Sequence, residues 1–358
     1  MNMDPVALEP SSLQITWFVL VGVLMAGYAI LDGFDLGVGI LHLLARDDTE
    51  RRIFMNSIGP LWDGNEVWLV VFGGALFAAF PKAYAAAFSG FYTGAMALLC
   101  ALIFRGVSME FRSKRPWRWW RGAWDLSFCV ASTGVSFLFG VVVGDCMQGL
   151  PLGPEGDLTQ PLTLVDLLLG PAGAPLRGYP LMTGLFAVST FAMHGSIYLY
   201  MKTEGALQAR IRRWMWIAYF VFLAIYLIVS GCTVAAFPAA TEKFHDYPLL
   251  WAVPLLNVLA ILNISRAMYS GRPFGAFLSS ACVIAAFTFL FGVALFPNLL
   301  VSTEDPAYSL TVMNAASTDK TLGIMLVVAG LGLPFVLTYT ATIYWVFRGK
   351  VQIGGFSY

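Results

Sequence analysis

The chain has 358 residues, of which 58% are hydrophobic and 12% charged, with acidic and basic side chains in balance. Its mean hydropathy is +0.74. Soluble domains carry about 25% charged residues, so a soluble globular fold is excluded, and the zero net charge leaves neither a basic footprint for nucleic acid nor an acidic tail.

The chain opens with "MNMDPVALEPSS", which has no basic n-region and precedes no small-residue cleavage site, so a retained first helix is expected rather than a cleaved signal peptide. About 20 apolar residues cross a bilayer. Nine stretches qualify, about 14–44, 57–80, 83–105, 124–148, 181–201, 212–236, 249–269, 275–296 and 322–347. The expected fold is therefore an all-α polytopic membrane protein, one membrane domain over 1–358, with nine transmembrane helices. Two four-helix bundles plus a ninth helix fit that count, and no internal repeat is visible.

Basic residues set the orientation. With the N-terminus on the periplasmic side, the cytoplasmic connections hold seventeen of the 21 lysines and arginines, Arg105 among them, and the outer ones hold Lys82, Arg177, Lys243 and Lys320. The C-terminus then falls in the cytoplasm. The longest outer loop, 149–180, is rich in Pro and Gly and should contain at most one short helix. The cytoplasmic "RSKRPWRWWRGAWD" mixes Arg with Trp, the signature of an interfacial anchor on anionic lipid. The cysteines at 100, 129, 146, 232 and 282 form no CxxC pair and sit in apolar runs, as small hydrophobes do.

The informative feature is acid inside apolar helices. "LDGFDLGVGILHLL" carries Asp32 and Asp35, and "NSIGPLWDGNEVWLVVFGG" carries Asp63 and Glu66, each pair spaced i, i+3 and so on one helix face. Carboxylates at the middle of a membrane helix cost roughly 2.5–3.5 kcal/mol each on insertion scales. Counted from Thr49 in the connecting loop, Asp35 and Asp63 each lie 14 residues away, and Asp32 and Glu66 each lie 17. In an antiparallel hairpin equal offsets mean equal depth, giving two acidic layers about 5 Å apart at about 1.5 Å per residue. Asn65 and Trp62 add polar edges beside them.

Two uses fit this pattern. The acids could lock helix packing, helped by Gly33, Gly37 and Gly39 at a close helix contact. They could also conduct protons or cations, since carboxylates in a low-dielectric setting can hold and release protons. No Lys or Arg lies at this depth in either helix, so a basic partner must come from another helix or chain. His194, inside "TFAMHGSIYLYMKTEG", fits a hydrogen bond to another helix or a proton relay better than haem ligation, because no second axial ligand matches its depth. His42 reads as exposed or interfacial, and Asp145, in "GDCMQG", as a cap or turn residue at its helix end.

Taken together, "LDGFDLGVGIL", "DDTERRIFMNSIGPLWDGNEVWLVVFGGALFAAFPKAYAAAFSGFY", "FRGVSMEFRSK", "GVVVGDCMQGLP", "HGSIYLYMKTEG" and "TVMNAASTDKTLGIML" resemble subunit II of the cytochrome bd-type quinol oxidases along nearly the whole chain. "GNEVW" and "HGSIYLYMKTEG" are closer to the cyanide-insensitive branch. The resemblance implies a haem-free, nine-helix subunit of the bacterial inner membrane, paired with subunit I. The complex would oxidise quinol and reduce oxygen to water without pumping protons. Subunit I would carry the quinol site and the haems, two b-type with a d-type or a third b-type. A small single-helix accessory subunit and a structural quinone are compatible with it. By the family's pattern Asp63 is the proton-path acid, with Asp32 and Asp35 as the "DGFD" pair. Glu66 stands where other members carry Gln, and Asp145 where a neutral residue is expected. The rival reading is a stand-alone ion-coupled transporter with the four acids as its ion site, against which no matching acidic pair appears in the second half.

Overall fold

The computed structural model describes residues 9–171 and 173–352. The opening stretch 1–8, where no signal peptide is expected, lies outside the described residues. The chain is almost wholly helical. Its α-helices are α1 (Ser12–Leu41), α2 (Asp48–Ile58), α3 (Trp62–Ala79), α4 (Pro81–Gly90), α5 (Tyr92–Phe111), α6 (Arg118–Gln148), α7 (Leu164–Leu169), α8 (Tyr179–Lys202), α9 (Gly205–Ala236), α10 (Ala239–Asp246), α11 (Ala252–Tyr269), α12 (Pro273–Leu295) and α13 (Asp319–Val346).

Nine spans are expected from sequence. Among the described residues nine helices reach 18 residues, and seven stretches are long and apolar enough to cross a membrane by length and composition. The two that fall short are α3 and α8. The reason is their polar content: α3 carries Asp63, Asn65 and Glu66, and α8 buries Thr183, Ser189, Thr190, His194 and Ser196.

Two expected helices are broken. The stretch 57–80 ends one helix at Ile58 and starts another at Trp62. Pro60 between them has no N–H to give and disfavours helix at the residue before it. The connection before it, read as a loop, is the helix α2, capped by Asp47, whose side chain accepts from the Glu50 N–H at 2.9 Å. The stretch 83–105 divides at Phe91, and its second part runs on to Phe111. Arg105 therefore lies inside α5, six residues before its end, and not in a cytoplasmic loop. The outer loop 149–180 holds the single short helix α7. The sequence reading missed α10 and one antiparallel strand pair, β1 (Asn298–Leu300) with β2 (Leu310–Thr311).

Helix α1 packs against α3, α6, α8 and α12, and α8 also packs against α6 and α9. Where α1 crosses α8 the backbones nearly touch: a Cβ on Gly37 would meet the Phe191 carbonyl at 2.0 Å and the Gly195 backbone at 2.8 Å. Only glycine permits that approach. The last helix is different. Of α13 only Leu322 is buried, and its end is pinned to the end of α8. There Lys202 Nζ donates to the carbonyls of Phe347 and Gly349, Lys350 Nζ donates to the Thr203 carbonyl at 2.7 Å, and the Val351 N–H donates to the Lys202 carbonyl at 3.0 Å.

Candidate functional site: a buried guanidinium among carboxylates

Asp32 and Asp35 on α1 are both completely buried. The cation that neither acidic helix could supply comes from α5. Arg105, also 0% exposed, donates from Nη2 to Asp32 Oδ1 at 2.5 Å and from Nη1 to Asp32 Oδ2 at 3.1 Å. This is a two-pronged fork, the geometry a planar guanidinium shares with a carboxylate and a lysine does not. The same guanidinium lies 4.0 Å from Asp35 Oδ2 and 3.8 Å from Glu66 Oε2.

Asn65 on α3 binds the second aspartate. Its Nδ2 donates to Asp35 Oδ2 at 2.7 Å and to the Leu31 carbonyl at 3.2 Å. Its Oδ1 accepts from the Tyr344 hydroxyl of α13 at 2.9 Å. The other oxygen of Asp35 has no hydrogen-bond partner among the described residues. One guanidinium thus faces three carboxylates. A charge left over at such a site is costly unless a proton or another cation neutralises it.

Four acids are expected together, in two layers. The structure brings Asp32 and Glu66 to the same guanidinium and sets Asp35 beside Asn65. Asp63 stands apart: it is exposed, and with Glu66 it lines an open groove of about 600 Å³ between α3 and α5, walled by Leu69, Val70, Leu99 and Ile103. Glu66 therefore belongs to both, touching the buried pair on one side and the groove on the other.

His194 is fully buried with both ring nitrogens engaged: Nε2 donates to the Ile30 carbonyl at 3.1 Å, and Nδ1 shares a hydrogen bond with the Ser280 hydroxyl at 2.7 Å. It ties α8 to α1 and α12. His42 is not exposed or interfacial, as its place at the end of an apolar run suggests. It is 0% exposed, and its Nε2 donates to Asp125 Oδ1 at 2.7 Å. Asp125, near the start of α6, also accepts from Arg51 Nη1 at 2.9 Å and Arg112 Nε at 2.5 Å. Arg112 and Arg121 meet again on Asp48, at 2.7 and 3.0 Å. Asp145 does not cap α6 with its side chain, which is buried without a partner in the chain. Gly149, at φ 89°, ends the helix instead, its N–H reaching the Asp145 carbonyl at 3.0 Å.

Arg105, Asp125, Arg112 and Tyr344 escaped the sequence reading. Arg105 and Asp125 had a signal: each is a charge just inside the end of an expected apolar stretch, 83–105 and 124–148, where it needs a partner. Tyr344 had none, being 279 residues from the asparagine it binds. Among the described residues no three His, Cys, Asp or Glu side chains gather as a metal site.

The sequence model of the cytochrome bd terminal oxidase subunit II family matches residues 13–347. The chain is 37% identical over 367 residues to cytochrome bd-I ubiquinol oxidase subunit 2 of Escherichia coli K12, covering 95% of each. It is 34% identical over 346 residues to cytochrome bd ubiquinol oxidase subunit 2 of Bacillus subtilis, covering 96% of this chain and 98% of that one. Its fold is that of a chain of the bd oxidase from Geobacillus thermodenitrificans, with a TM-score of 0.74 at 16% identity over 94% of this chain and 99% of that one. With its buried carboxylates and a sequence matched almost from end to end, the chain belongs to the cytochrome bd terminal oxidase subunit II family.

Proposed function

We propose that this chain is the haem-free subunit of a bd-type quinol:oxygen oxidoreductase in the bacterial inner membrane, and that it contributes carboxylates to a proton path from the cytoplasm. It spans the membrane nine times, N-terminus outside, as two four-helix bundles and a final helix. Its partner is subunit I, which carries the haems (two b-type and a d-type, or three b-type) and the quinol site. A small accessory helix, surrounding lipid and a structural quinone are compatible with this assembly. Oxygen reduction consumes protons from the cytoplasm without a pumping step. The family match displaces the stand-alone transporter.

The chain's own histidines support placing the haems on the partner. Both nitrogens of His194 are already bonded to protein atoms, and Nε2 of His42 is held by Asp125. What a haem supplies when bound is electron transfer and oxygen chemistry. The acids of this chain supply groups that hold and pass protons.

The observation that carries the proton path is the surplus of acid. Arg105 offsets one carboxylate, and Asp35 and Glu66 remain beside it. Such a group can take up a proton and release it without separating a fixed ion pair. Asp63 and Glu66 on the groove between α3 and α5 give that cluster an approach from outside the chain's core. Asp63→Asn tests the reading in the complex purified through a tag on this chain. Normal haem content with oxygen consumption per haem lowered at least tenfold is expected. Wild-type turnover would refute the role of Asp63, and a loss confined to assembly would make it a packing residue.

A further inference from the structure

We infer that Tyr344 is a positioning residue for the buried acids, holding the Asn65 amide with its donor end toward Asp35 at a water-sized cleft between α3 and α13. This rests on the proton-path reading above.

A side-chain amide has one donor end and one acceptor end, and turning it over exchanges them. Here the donor end serves two acceptors, Asp35 Oδ2 at 2.7 Å and the Leu31 carbonyl at 3.2 Å. The acceptor end receives the Tyr344 hydroxyl at 2.9 Å. Asn65 is only 2% exposed, so bulk water does not stand in for that hydroxyl. Without it the amide oxygen loses its donor, and Asp35 loses the firm placement of its own.

Two further features single out this contact. Helix α13 buries one residue, Leu322, and is otherwise largely exposed, yet near its end Tyr344 packs its ring edge-on to Phe34, the neighbour of Asp35, and reaches Asn65 with its hydroxyl. Beside the contact, Gly64, Asn65, Thr340 and Tyr344 line a cleft of about 10 Å³, about the space one water needs. A single water in that cleft would have both Asn65 and Tyr344 as neighbours. The two aspartates thus have separate anchors: the guanidinium fixes Asp32, and the hydroxyl, through Asn65, fixes Asp35.

The test is a double-mutant cycle in the complete complex, with Tyr344→Phe, Asn65→Leu and the pair, reading haem content, oxygen turnover per haem and its pH profile. Tyr344→Phe should assemble normally, lose about three- to tenfold in turnover, the scale of one hydrogen bond, and change the pH profile. In the Asn65→Leu background the same substitution should change neither, because it removes only the hydroxyl, whose hydrogen-bond partner is already gone, and keeps the ring against Phe34. An equal loss in both backgrounds, or none in the wild type, overturns the positioning role. Slow turnover in Asn65→Leu with a wild-type Tyr344→Phe overturns that role alone. Wild-type turnover in both Asn65→Leu and Asp35→Asn overturns the proton path beneath it.

Discussion

Removing the Arg105 guanidinium tests the energetics of the acid cluster most directly. Arg105→Met keeps much of the side-chain volume but deletes both hydrogen bonds to Asp32, at 2.5 and 3.1 Å. Asp32 and Asp35, each 0% exposed, and Glu66, with its side chain 23% exposed, would then have no cation among them. Breaking a buried pair from one side costs about 3–5 kcal/mol, between about a hundredfold and a few thousandfold in the folded population. Asp32→Asn should cost less, since the guanidinium keeps Glu66 at 3.8 Å and Asp35 at 4.0 Å as counter-charges. Arg105→Lys should fall between, because an ammonium supplies the charge without the fork. The assay is the yield of haem-containing complex per cell, followed by its thermal inactivation. Wild-type yield from Arg105→Met, or a greater loss from Asp32→Asn, would refute the reading that this cation is what makes the acids tolerable.

Two other outcomes follow from the geometry. Gly37→Ala should abolish assembly, since its methyl would lie 2.0 Å from the Phe191 carbonyl, whereas Gly22→Ala, with nothing within 4 Å, should assemble normally; co-purification of the haem-bearing subunit distinguishes the two. Burial alone would push Glu50 up, but its hydrogen bonds from Arg210 and the Arg46 N–H outweigh that and hold it below the ordinary glutamate value. A lowered folded value stabilises above the unfolded value and is lost as pH falls through the folded one, so Glu50→Gln should destabilise the complex at neutral pH and be indistinguishable from wild type below the glutamate range, as read by thermal melts across pH.

The acids were legible in the sequence because a charge in an apolar helix is expensive and stands out against its neighbours. Equal offsets from Thr49 match Asp32 with Glu66, which both reach Arg105, but they also match Asp35 with Asp63, which stands apart on the groove, and Thr49 itself lies in a helix rather than a loop. Arg105 was misplaced for a local reason. The break at Phe91 restarts the helix, so α5 extends past the end of the apolar window and draws the arginine inward. His42 was misread because its partner, Asp125, lies 83 residues away and hydropathy carries no information about pairs. The strand pair and α10 are short, and their stability comes from the helices they cover, which no local pattern records.

The latch at the end of α13 bears on the order in which the protein is made. Chain growth delivers Asp32 and Asp35 first, then Asn65 and Glu66, then Arg105, and the hydroxyl of Tyr344 only after some 240 further residues. The acid cluster therefore acquires its counter-charge early in synthesis and its hydrogen bond from Tyr344 much later. Lys202, Lys350 and the backbone of Val351 fasten α13 to the end of α8, a helix made well before it. A nascent chain stalled before α13 would hold the acids and their one cation without the hydroxyl that orients Asn65.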